Sequence, residues 1–411
     1  MRQIVRIKKE YLYFLAYGIF MMLAILSTSL YYQYYYGARY SLMLIGCMLL
    51  LIVGEVSNGG CLTIQKSVVF VLSVAIYILI VIANRNIIGT VALIPAFVYC
   101  GRNIEFSKIS RYTLRLSVVL FVFVIVSSKL GVINSFVIQT ASGRSREYLG
   151  FRYALYPSAL LFNISAMILY EKQAKIRWID ITGLGLLNYW IYLKTNSRLS
   201  FCLTLLVIVI AAVEKIGIKK TNKRHFSLWV LQYSFIICAA VSAFVIYAYS
   251  SGAAWAGNLD SLLGNRVQYA AASLAQNGVS ILGRRIEWVG FGLDPYGAVQ
   301  NDVFAHYNYV DCMYIQVLQS YGILLAIVYI VLMTLCMKSL YKKGEYLIII
   351  ILSLIAFRNM IDDLSLYLYY NTFWLVLNKI ITANKFRLKF ELSSLSEGLA
   401  RQVLGKVAGG A

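Results

Sequence analysis

Apolar runs of about 17–24 residues recur along almost the whole chain, separated by short segments rich in lysine and arginine. A helix needs roughly 20 apolar residues to cross hydrocarbon. Inside a bilayer, only helices and closed barrels satisfy their own backbone polar groups. Runs of this length are those of helices, so the chain reads as an all-α polytopic membrane protein. The candidate spans are 11–30, 38–55, 67–84, 87–101, 112–131, 153–170, 178–194, 199–214, 227–250, 312–337, 346–359 and 364–378, about twelve in all. Composition agrees: 60% of residues are hydrophobic, 13% are charged and only 3 are proline. The first run is too long for a signal peptide and is followed by no small-residue cleavage pattern, so a retained helix is expected there.

The net charge of +21 raises nucleic acid as a partner class. Most of that charge lies in short loops, where topology and anionic membrane lipid account for it, so no nucleic-acid partner is expected. The basic segments are the N-terminus (Arg2, Arg6, Lys8, Lys9), Lys66, 102–111, 171–177, 215–225, 338–345 and the C-terminal tail. They occupy every second loop. By the positive-inside rule both termini are expected in the cytoplasm.

Under that topology the two faces differ in kind as well as amount of basic charge. The inner segments hold about 17 Lys and 9 Arg. The outer ones hold about ten Arg (Arg39, Arg85, Arg144, Arg146, Arg152, Arg198, Arg266, Arg284, Arg285, Arg358), joined only by Lys129 and Lys194. Snorkelling at an interface would use lysine equally well. Arginine is the planar fork that grips phosphate bidentately. The bias points to an outward site for phosphate or pyrophosphate beside lipid.

Residues 1–385 read as one transmembrane domain and 386–411 as a cytoplasmic tail. Two outer loops stand out, 132–152 and 251–311. In the second, 266–276 carries good helix formers without proline and predicts a surface helix. Gly290, Gly292, Pro295 and Gly297 then mark an irregular stretch. The tail 386–404 spaces Phe386, Phe390, Leu392, Leu395, Leu399 and Val403 nearly as an interfacial amphipathic helix would. A plain tail, or an appended remnant ending in VAGGA, fits it as well. The YYQYYY run at 31–36 reads as an interfacial aromatic belt, with sugar stacking as the other use. The seven cysteines form no zinc or disulfide pattern and read as small buried hydrophobes. No internal repeat is visible.

Four polar clusters fall on the outer face. They are Arg144–Arg152 entering the sixth span; TNSR, 195–198, opening the eighth; the long loop with Arg266, Arg284, Arg285, Glu287, His306 and Asp311; and Arg358, Asp362, Asp363 and Asn371 at the last outer turn. Ionisable groups at span ends are costly without partners and mark functional sites. His306 is the one outer histidine, and its imidazole is a natural general base. Asp311, five residues on, offers a carboxylate for the same task. His225 lies in a basic inner loop and is read as inert.

In this order the motifs resemble the polysaccharide polymerase and O-antigen ligase superfamily, the Wzy-type membrane glycosyltransferases. The matching pieces are RSREYLGF at 144–151, TNSR at 195–198, a single long outer loop, NR at 265–266, GFG at 290–292 and VDCMYIQVLQSYGI at 310–323. Together they cover roughly residues 130–375. Where the family's ligases carry the histidine of an HN pair, this chain has Asp311 followed by Cys312. That departure leaves His306 and Asp311 both open as base and favours a polymerase over a ligase.

The resemblance implies a GT-C-like fold and transfer of a growing glycan from a polyprenyl (undecaprenyl) pyrophosphate carrier to the terminal sugar of a new lipid-linked repeat unit. It implies no nucleotide cofactor. Charge on the departing pyrophosphate would be neutralised by Arg198, Arg266 and Arg146, with Arg144 and Arg152 beside them. His306 or Asp311 would take the acceptor's proton. Arg284, Arg285, Asp363 and Tyr309 would hold sugars. No outer carboxylate pair other than Asp362–Asp363 resembles a metal site, and none is expected to bind one. Expected partners are the lipid-linked substrates and membrane lipid, with a chain-length regulator and a flippase. The competing readings are a ligase using the same donor, a lipid-oligosaccharide flippase, and a sensor. A flippase would place charge at mid-membrane depth on broken helices, whereas here most charge sits at span ends. The lysine-, isoleucine- and tyrosine-rich, proline-poor composition is that of a low-GC Gram-positive source, where the product would be a capsule.

Overall fold

The computed structural model describes residues 9–57, 64–139, 143, 145–216, 226–299 and 306–383. The chain is mostly helical, and the elements run in this order. Helices α1 (Lys9–Ser27), α2 (Ala38–Val56), α3 (Ile64–Asn84), α4 (Ile94–Cys100) and α5 (Phe106–Lys129) come first. A hairpin follows, β1 (Val137–Gln139) and β2 (Ser145–Glu147), antiparallel with Ile138 opposite Arg146. Then come α6 (Leu155–Lys172), α7 (Trp178–Thr195), α8 (Arg198–Ile216), α9 (Phe226–Leu231), α10 (Ser234–Ser250), α11 (Ala254–Leu263) and α12 (Arg266–Asn277). The chain closes with α13 (Met313–Ser320), α14 (Gly322–Lys342), α15 (Tyr346–Arg358) and α16 (Asn378–Ala383).

Six of these helices are long and apolar enough to cross a membrane: α1, α2, α3, α5, α8 and α14. A seventh is reached if α10 and α11, bent by 115° at Ser251–Ala253, count as one span. Their outward faces are rich in leucine, isoleucine and valine, as lipid contact requires. The centre is α6, whose apolar residues run all round rather than along one stripe, the mark of a helix enclosed by others. It packs against α5, α7, α8 and α15.

Ion pairs gather one end of the bundle. Lys9 and Arg102 meet Glu55, Lys108 meets Glu10, Arg111 meets Glu171, Lys172 meets Asp180, and Lys379 meets Glu345. The other end holds the hairpin, α11, α12, the irregular stretch 278–299 and the turn 359–363. Helix α1 runs from the first end to the second, so about 27 Å separates them.

Four expected spans take other forms; one of them, 227–250, is divided between α9 and α10 by a turn at Gln232–Tyr233. Residues 87–101 carry only the seven-residue α4 after a series of turns. Residues 364–378 return toward the lysine-rich end as two short 3-10 segments joined by a turn at 367–371. Non-helical backbone at such depth survives only where protein surrounds it. Here Asn163 of α6 supplies what helix geometry would have: its Nδ2 donates to Thr372 Oγ1 at 2.9 Å, and its Oδ1 accepts from the Thr372 N–H at 3.2 Å. Residues 312–337 are broken at Tyr321, because Gly322 has φ +88° and a methyl group there would lie 2.3 Å from Gly283 N. The chain at 280–284 crosses that break and repairs its backbone bonds: Ile323 N–H donates to Ser280 O at 3.0 Å and Arg284 N–H to Gln319 O at 3.2 Å.

Candidate active site: an arginine cavity beside three carboxyl groups

The TNSR turn shows how local sequence places a side chain. Asn196 ends α7 with φ +52°, the left-handed conformation asparagine tolerates, and so reverses the chain. Thr195 and Ser197 stitch the turn to α6. The Thr195 hydroxyl lies 3.1 Å from Ser158 Oγ, and Ser197 Oγ donates to Ala154 O at 3.3 Å. Arg198 is left as the first residue of α8, exposed, with no hydrogen bond or ion pair among the described residues.

Arg266 is set by similar means. Gly264 and Asn265 both take positive φ. Asp260 Oδ1 caps the start of α12, accepting from Val267 N–H at 2.8 Å and Gln268 N–H at 3.0 Å. The Arg266 side chain then donates from Nη1 to Ile361 O at 2.6 Å, and its Nε lies 3.1 Å from Asp311 Oδ2. Arg146, on β2, donates from Nε to Thr195 O at 3.0 Å and lies over the Tyr153 ring.

These three arginines line one cavity of about 490 Å³. Tyr153, Leu155, Leu199, Cys202, Leu263 and Ile361 complete most of its wall. Its lining joins the three arginines to Asn196, Ser197 and Ser261 and to a larger apolar part, with exposed Cys202 one turn along α8 from Arg198. The Tyr307 and Tyr153 phenols both feel the Asp311 and Arg266 charges, so they belong to the same neighbourhood. Neither tyrosine was singled out from the sequence. Their signal there is only position, next to Arg152 and His306.

Three carboxyl groups stand behind Arg266. Burial pushes the Asp311 carboxyl above the usual carboxylate range, with Arg266 opposing the shift. Asp362 is fully buried and accepts from Arg358 Nε at 2.9 Å and Nη2 at 2.7 Å. Asp363 accepts from Tyr309 Oη at 2.6 Å. Burial, then the adjacent Asp362 carboxylate, pushes Asp363 up to about 8. Asp311 and Asp362 each have a guanidinium partner, whereas Asp363 has none among the described residues and accepts from the Tyr309 hydroxyl instead, so the proton is retained on Asp363.

The other expected site residues divide. Arg152 is not free for a ligand: its guanidinium donates to the carbonyls of Leu293 at 2.6 Å, Asp294 at 3.1 Å and Ser27 at 3.2 Å, clamping the stretch 278–299 onto α1. Arg358, 1% exposed, is likewise a strut, stacked on Phe162. Tyr309 is spent on Asp363 and lies against Gly290. His306 is exposed; neither it nor Asp311 is among the residues lining the cavity, but Asp311 touches that lining through Arg266. Arg284 and Arg285 are exposed and lie away from the cavity wall. Arg144, His225, Cys61 and the tail 386–404 fall outside the described residues. Among the described residues no group of three or more His, Cys, Asp or Glu is arranged to hold a metal.

The glycine of the REYLGF motif has a physical reason. Gly150 has φ +82°, and a methyl group on it would meet Ser128 Cβ at 2.8 Å. That close approach seats the hairpin against α5, so Arg146 reaches Thr195. No family model, no curated protein and no solved structure matches this chain.

Proposed function

We propose that the chain is a membrane glycosyltransferase that polymerises lipid-linked oligosaccharide repeat units, with the arginine cavity as the seat of the leaving pyrophosphate. The observation that carries this reading is the convergence of Arg146, Arg198 and Arg266 on one cavity that leucine and isoleucine side chains also line. A polyprenyl pyrophosphate combines the same two demands, a diphosphate head and a hydrocarbon tail. The placing of the cavity at the end away from the lysine-rich ion pairs supports an extracytoplasmic site in a cell membrane, with about twelve spans and both termini cytoplasmic.

In this mechanism the acceptor sugar hydroxyl attacks the anomeric carbon of the donor glycan. The carbon–oxygen bond to pyrophosphate breaks, and its electron pair leaves with the polyprenyl pyrophosphate. Arg198, Arg146 and Arg266 neutralise that charge as it develops. The Asp311 carboxylate takes the hydroxyl proton. Its raised pKa suits a general base, because a carboxylate of ordinary acidity is a poor proton acceptor. Asp311 is preferred to His306 because it contacts Arg266 directly. No metal enters the mechanism.

The test is the full-length protein in lipid nanodiscs, supplied with a lipid-linked repeat unit. A ladder of glycan lengths on the carrier is expected, and it should persist in excess chelator. Transfer to a non-lipid acceptor alone would indicate a ligase. Absence of any transfer by folded protein would overturn the reading.

A further inference from the structure

A second set of arginines follows directly on the chain segments that meet at Tyr321, a residue lining a second, apolar groove. Helix α3 packs chiefly against α4 and α14 and otherwise faces outward. Between α3 and α14 is a cavity of about 80 Å³, walled by Ile76, Ile80, Pro95, Leu325, Val328 and Trp374, with almost no polar surface. Its wall follows α14 from Tyr321 down to Leu332, about 16 Å at a helical rise of 1.5 Å per residue.

Tyr321 is the lip of this groove, and its phenol lies beside the side chain of Asn84, the last residue of α3. Arg85 comes next and is exposed. Across the lip, the backbone of Gly283 rests on Tyr321, so closely that a Cβ there would lie 2.5 Å from the Tyr321 carbonyl carbon. Arg284 and Arg285 follow directly, both exposed. None of the three arginines has a hydrogen bond or ion pair from its side chain among the described residues. Unpaired guanidinium groups above a hydrocarbon-lined groove repeat the logic of the first cavity.

The turn at Asp362–Asp363 links the two. Asp363 feels the charge of Asp311 on one side, and Tyr321 feels Asp363 on the other. A glycan anchored at the second mouth would therefore lie near the carboxyl cluster.

We infer that the α3–α14 groove seats a second lipid-linked pyrophosphate, the acceptor substrate, with Arg85, Arg284 and Arg285 on its diphosphate. This rests on the polymerase reading, in which both substrates carry the same kind of lipid. The acceptor's own pyrophosphate does not react. It needs anchoring, which Arg85, Arg284 and Arg285 provide, while the donor's must be neutralised as its bond breaks, which the three arginines of the first cavity provide. Arg284 and Arg285 then hold phosphate in place of the sugars assigned to them from sequence.

The experiment counts labelled undecaprenyl pyrophosphate bound to the full-length protein in phosphatidylcholine nanodiscs. Two per chain are expected. The triple variant Arg85→Gln/Arg284→Gln/Arg285→Gln should lose one, its second site weakening at least tenfold. Val328→Trp, which fills the groove without touching charge, should do the same. One bound per chain in the native protein overturns the inference, as does unchanged binding in both variants. Displacement of one of the two by excess phosphatidylglycerol also overturns it, since the groove would then belong to bulk anionic lipid. The two readings fail separately. Two bound lipids without glycan elongation would support the second site and remove the polymerase. Normal elongation with unchanged acceptor KM in the triple variant would remove the second site and leave the polymerase.

Discussion

Replacing Arg266 by lysine separates charge from geometry at the heart of the proposed site. A guanidinium has five N–H donors. Two are spent on Asp311 and on the Ile361 carbonyl, which leaves three for a ligand. Lysine has three donors on a single atom, so meeting both partners leaves one. It also keeps a positive charge beside Asp311. That matters for folding, because removing the cation altogether would orphan a buried carboxylate at about 3–5 kcal/mol. Arg266→Lys should therefore fold, with Tm close to native, while losing at least one charge-assisted bond to the departing pyrophosphate. Such a bond contributes roughly 1.5–3 kcal/mol. The expected fall in kcat/KM is about tenfold to 150-fold, at roughly 1.4 kcal/mol per decade. The assay is initial-rate elongation of a lipid-linked repeat unit in nanodiscs, with thermal unfolding measured on the same preparation. A rate within threefold of native, at unchanged Tm, would refute the role given to the Arg266 fork.

Asp311→Asn should lower elongation at least about a hundredfold, whereas His306→Ala should leave it within threefold; the reverse pattern in the same assay would make His306 the base. Asp363 gives a stability test. Its folded pKa of about 8 lies above the unfolded value of about 3.9. The folded state therefore holds a proton that the unfolded state releases, so this group's stabilisation is complete below about pH 4 and is lost as pH rises to 8. Asp363→Asn should remove that slope, and its Tm relative to native should rise from pH 5 to about pH 8 and then level off; a constant difference would show that Asp363 is ionised throughout. Gly322→Ala should destabilise by roughly 3 kcal/mol or more, because φ is +88° and the added methyl meets Gly283 N at 2.3 Å. A Tm within 2 °C of native, on the scale of about 2–4 °C per kcal/mol, would show that the crossing at Gly283 yields easily.

Part of the site was legible in the sequence because the chemistry is local. The sequence reading already grouped Arg146, Arg198 and Arg266 from motifs on three separate segments, and they line one cavity. The surface helix expected over 266–276 is present as Arg266–Asn277. Its signal is a run of helix formers without proline. Other arginines look the same in the string and do different work. Arg152 and Arg358 sit in motifs as polar as TNSR, yet one clamps carbonyls from two distant segments and the other is sealed against Asp362 and Phe162. Whether a guanidinium is free depends on what the fold brings within about 3 Å of it. For Arg152 those atoms come from residues 27, 293 and 294.

The same division holds for the backbone. Run length and apolarity were enough to determine that this chain is helical and has segments fit to cross a membrane, because hydrocarbon tolerates so few backbone solutions. Only the tertiary structure decided where that rule is relaxed. Residues 364–378 are as apolar as a spanning helix, yet Asn163 of α6 and neighbouring side chains meet enough of their polar groups for a non-helical path to stand. The break at Gly322 likewise exists because Gly283, distant in sequence, lies against it. Hydropathy records what each residue would lose in lipid; it carries no record of which partner arrives to replace the missing bond.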